Sequence, residues 1–77
     1  MSKPADKLAI PVWRQADGAP LSCVDKIKVL NENLVELRQM AQDALEDAIL
    51  MGADEAQIRE VLGRLIASLE NPYRKQD

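Results

Sequence analysis

The chain has no histidine, no phenylalanine and a single cysteine among its 77 residues, and only Trp13 and Tyr73 are aromatic. Each absence removes one way of holding a small protein together. One cysteine cannot close an intramolecular disulfide, and without histidine the common zinc and haem ligand sets cannot be assembled. A core without phenylalanine must be aliphatic, which suits helices better than sheets. No stretch approaches the roughly 20 apolar residues of a membrane span, and the apolar run "LAIPVW" near the start is too short for a signal-peptide core. The sequence therefore reads as that of a cytoplasmic protein with no membrane partner.

Basic charge is also scarce. The net charge is −3, and residues 22–51 carry three Lys/Arg against six Asp/Glu, residues 54–70 two against four. Phosphate neutralisation usually dominates nucleic-acid affinity, so both regions argue against a nucleic-acid partner. A chain of this size buries only about 60% of its extended surface. With disulfide and metal staples missing, self-association is the favoured route to a sufficient core.

What is present is helical pattern. Residues 1–21 hold Pro4, Pro11 and Pro20 and a turn signal at Asp17-Gly18, which together predict an irregular N-terminal arm. Ser22 followed by Asp25 forms an S-x-x-D start signal, and Gly52 is a natural left-handed stop, so a first helix is expected over about 22–51. Asp54 with Gln57 opens a second helix, expected over about 54–70 and closed by Asn71-Pro72, followed by a flexible tail, 72–77. The short connection makes the two helices antiparallel neighbours. The expected fold is all-α, one domain built as a helical hairpin over 22–71.

The first helix outruns the second by nearly half its length. Its seam places Ile27, Leu34, Ala41 and Ala48 at the a positions of a heptad, and Cys23, Leu30, Leu37, Ala44 and Met51 at the d positions. Between Met40 and Met51 the apolar arc widens, with Leu45 and Ile49 included, to about half the circumference. A helix apolar over that arc normally touches two neighbours. Two hairpins paired through antiparallel long helices satisfy the demand, each sheltering the other's overhang in a four-helix bundle. The alternative is a monomer whose arm folds back along its own overhang. The dimer is expected, with Ile27, Leu30, Leu34, Leu37, Ala41, Ala44, Leu45, Ala48 and Met51 as its interface.

Chemistry-bearing patterns are sparse. Glu32, Glu36, Asp43, Glu46 and Asp47 share a sector opposite the seam. Carboxylates so spaced can hold a divalent cation or work as acid and base, but the di-iron Glu-x-x-His pair and the EF-hand loop are both missing. A solvated acidic face is the plainer reading, and Glu36, Asp43 and Asp47 are its contact residues if a basic protein docks there. Cys23 lies in the first turn, where the helix dipole favours a thiolate and hence a redox role, but it also fits the d register as a small apolar residue. Trp13 either lies on the helical body or anchors a partner. Asn31 and Asn33, flanking the seam, either set helix register or solvate its rim.

No phosphate loop, nucleophile elbow or internal repeat is present. The expected function is a non-enzymatic protein-protein interaction module, an adaptor, regulator or accessory subunit that needs no cofactor. The alternative is a small-ligand or metal-binding protein or enzyme whose site forms between subunits from the acidic residues, Cys23 and Trp13.

Overall fold

A computed structural model describes residues 9–74. The first eight residues of the expected arm and residues 75–77 of the expected tail lie outside that range. Two helices account for the regular structure, α1 over Val24–Leu50 and α2 over Glu55–Ala67, and no strand occurs among the described residues beyond one isolated bridge, Arg14 to Pro20. The chain divides into two units, Met1–Met40 and Ala41–Asp77, with α1 running through the boundary.

In the first unit the arm is irregular but ordered by hydrogen bonds. Gly18 adopts φ +93°, a left-handed value at little cost for a residue without Cβ, and its N–H donates to the Gln15 carbonyl at 2.9 Å. The Asp17 carboxylate accepts from the Ala19 N–H at 3.0 Å, an Asx turn that confirms the Asp17-Gly18 signal. Two further bonds close the loop, Gln15 N–H to Ala19 O at 2.7 Å and Leu21 N–H to Trp13 O at 2.8 Å. Arg14 and Pro20 face each other between those two bonds as the non-hydrogen-bonded pair of the bridge, a place where the missing N–H of Pro20 costs no ladder bond.

Helix α1 begins slightly later than the S-x-x-D signal suggests. The Cys23 carbonyl accepts the first intrahelical bond, from Ile27 N–H at 3.0 Å, which makes Cys23 the N-cap in place of Ser22. The other end follows the sequence closely. Gly52 takes φ +93°, Ala53 N–H donates to Ala48 O at 2.9 Å, and Gly52 N–H to Ile49 O at 3.0 Å. Those two bonds form a Schellman motif, which satisfies two carbonyls the helix end would leave open.

The second unit is a hairpin in which α1 and α2 are in contact. Asp54, in extended conformation, caps α2 by accepting from the Gln57 N–H at 2.8 Å. Helix α2 stops at Ala67, earlier than the Asn71-Pro72 signal, because Ser68 turns inward. Its hydroxyl donates to the Leu65 carbonyl at 2.7 Å, and the next bond, Leu69 N–H to Ile66 O at 3.2 Å, has tightened to the i to i−3 pattern. Asn71 and Pro72 then form a separate turn, in which the Asn71 side chain accepts from the Tyr73 N–H at 2.8 Å.

Candidate interaction surface

None of the described residues is fully buried, apolar or polar. Coverage is partial everywhere and falls along one row of α1. In the first unit Trp13, Leu21, Ile27, Leu30, Asn31, Leu34 and Arg38 are half-buried. In the second unit Ala41, Gln42, Leu45, Ala48, Ile58 and Leu62 are half-buried. All four a positions, Ile27, Leu34, Ala41 and Ala48, are therefore shielded within one chain. Among the d positions only Leu30 is, while Cys23, Leu37, Ala44 and Met51 are exposed. The shielded row leans instead toward Asn31, Arg38 and Leu45, the e side of the heptad, and the d side stays open.

Trp13 and Asn31 come together. The indole N–H of Trp13 donates to Asn31 Oδ1 at 2.7 Å, joining the arm to α1 across 18 residues of sequence. Trp13 thus lies on the helical body, the ring lending cover while its one polar atom finds an acceptor. The bond fixes where the arm crosses the helix, a task that neither residue announces alone. Residue order within the arm places Trp13 opposite Leu21 through their backbone bond, so both apolar side chains reach α1 from one short loop. Beside it Leu21, Asp25, Lys26, Val29 and Leu30 line an open hollow of about 420 Å³.

Arg38 was not singled out by its sequence context. Its Nη1 is shut off from solvent and has no hydrogen-bond partner among the described residues. The residue is half-buried, a placement a long aliphatic stem tolerates, at the cost of one unsatisfied donor. The signal for it lies in spacing: Asn31, Arg38 and Leu45 recur every seven residues, on the side toward which coverage has shifted.

Glu36, Asp43 and Asp47 are all exposed on α1. Lys28 approaches Glu32 at 4.0 Å, and Gln42 donates to Glu46 at 2.8 Å. No group of three His, Cys, Asp or Glu residues among those described is placed to hold a metal ion, and no helix is long and apolar enough to cross a membrane. Cys23 is a free, exposed thiol.

Helix α2 carries a broad apolar stripe, Ile58, Val61, Leu62, Leu65, Ile66 and Leu69, of which only Ile58 and Leu62 are half-buried. Val61, Leu65, Ile66 and Leu69 keep between 45% and 68% of their surface. A stripe that wide exceeds what one antiparallel neighbour can cover. No protein-family model, curated protein or solved structure matches this chain.

Proposed function

We propose that the protein is a non-enzymatic helical interaction module which works as a homodimer, two hairpins forming a four-helix bundle with their long helices antiparallel, and serves as an adaptor, regulator or accessory subunit of a larger complex. One observation carries this reading. Fifteen large apolar side chains stand exposed among the described residues while none is buried. Scattered exposed apolar residues are ordinary, but a chain with no buried core retains its apolar faces for another surface. The acidic sector of α1 with Glu36, Asp43 and Asp47 is the surface on which a basic protein partner would dock.

Light scattering on the purified chain tests the assembly. The expected mass is twice 8.6 kDa at micromolar concentration; a monomer throughout a dilution series removes the dimer. The exposed Cys23 reports helix direction. Antiparallel long helices hold the two thiols at opposite ends, at least roughly 40 Å apart, against the ~4–7 Å Cα separation of a disulfide, so mild oxidation is expected to leave a non-reducing gel unchanged. Rapid covalent dimerisation would mean parallel helices.

A further inference from the structure

The two flanks of the hairpin in the second unit are not alike. Because α1 and α2 are antiparallel, successive 100° steps put Ala44 and Met51 of α1 on the same side as Val61 and Leu65 of α2, and Ile49 on the other side with Ile66. On the first side all four residues are exposed, Met51 at 84%, Leu65 at 56% and Val61 at 45%. On α1 the one charged neighbour of this patch is Asp47, at its outer margin one turn from both Ala44 and Met51. Arg64, at the outer margin, is closed on its own helix by Glu60 at 2.9 Å. The second side carries charge and polarity among its apolar residues, with Arg59 on Glu55 at 2.9 Å and Gln42 on Glu46 at 2.8 Å.

We infer that a second copy of this chain docks face to face on Ala44, Met51, Val61 and Leu65, an assignment that rests on the dimer reading and gives it a surface. A two-fold contact sets a patch against itself, so the patch must be self-complementary. An apolar face with charge only at its margins, Asp47 and Arg64, meets that demand, whereas the flank with Glu55, Arg59 and Glu46 would set like charges near one another. Ala44, lacking bulk, lets the two long helices approach closely where they cross, and the larger Leu65 and Met51 fill the sides.

The amount of surface agrees with that occupant. The chain exposes 7036 Å², where a compact monomer of this mass exposes about 4,700 Å². Setting aside roughly 1,800 Å², the most that the eleven residues outside the described range can present, leaves about 5,200 Å², against about 4,200 Å² for a compact body with the mass of the described residues, an excess of about 1,000 Å². A standard interface takes about 800 Å² from each partner. One further copy is therefore enough to absorb the excess.

Sedimentation equilibrium on Leu65→Glu and Ile66→Glu separates the flanks, with circular dichroism to verify helicity. Leu65→Glu is expected to raise the dimer dissociation constant by about 100-fold or more, since it buries an unpaired charge, and Ile66→Glu by less than about 3-fold. If both variants dissociate alike, or Ile66→Glu the more, this face is wrong while the dimer stands. A monomeric unmodified protein would overturn both. Should the glutamates cost helicity, the milder pair Val61→Thr and Ile66→Thr takes their place, with the same order of effect expected and the same reversal overturning the assignment.

Discussion

The two units cover the same helix in different ways. In the first, an irregular loop is joined to α1 by a side-chain hydrogen bond from Trp13 to Asn31, and Trp13, Leu21, Ile27, Leu30 and Leu34 are half-buried. In the second, a regular helix does the covering, started by the Asp54 side chain and closed at Ser68, with Ile58 and Leu62 as its half-buried residues. Neither cover completes a core. The arm is narrow and α2 is apolar on more sides than α1 can meet, so an extended segment and a helix reach the same incomplete result by opposite routes. A fold-back arm and a dimer, which look like rival explanations of the overhang in sequence, are therefore compatible: beside the arm Asn31 and Arg38 on the e side are half-buried, while Cys23 and Leu37 on the d side stay exposed.

Trp13→Ala tests the first unit and has the largest expected effect. It removes a half-buried ring and its bond to Asn31, costing roughly 2 kcal/mol, below the range for a fully buried tryptophan. Hydrogen exchange should quicken in the amides of 27–38 and not in those of 41–50 and 55–67. Equal acceleration throughout would mean that α1 opens as one body, and the contrast between the units would fail. Asn31→Leu is the partner control; it should cost about 1 kcal/mol and alter the tryptophan emission without changing the second unit.

Effects of similar size are expected from the caps of the second unit. Gly52→Ala places a Cβ in the left-handed conformation, and although nothing lies within 4 Å of that position, the backbone strain should cost about 1 kcal/mol. Asp54→Ala removes the acceptor for the Gln57 N–H and should also cost about 1 kcal/mol. Both losses should appear in the exchange of 55–67 while the arm keeps its protection. If the Trp13–Asn31 region loosened equally, stability would not be divided as described. Smallest of all, Glu60→Gln opens an exposed pair with Arg64 and should change a thermal melt by less than about 0.5 kcal/mol.

Local signals were the most legible part of this sequence. Gly52 and Asp54 stop one helix and start the next through bonds that involve only residues within four or five positions, and the Asp17-Gly18 turn is equally local. The a positions of the seam were also readable, because a repeat of 3.5 residues fixes which side chains share a row. Less legible were the end of α2, where Ser68 competes for a carbonyl before Asn71-Pro72 is reached, and the identity of the shielded edge. Asn31 and Arg38 are polar, and a hydropathy pattern assigns polar residues to the rim.

Sequence alone thus determined helix type, helix number and the antiparallel return, because capping, periodicity and loop length act within a few residues. It also excluded disulfide and histidine-metal staples by composition. Only tertiary structure decided that the indole of Trp13 meets Asn31, that coverage leans to the e side, and that Val61 and Leu65 remain open beside Ala44 and Met51. Those outcomes depend on how much area a neighbouring segment can cover and on where one distant hydrogen bond pins it. Neither quantity is carried by any local pattern of residues.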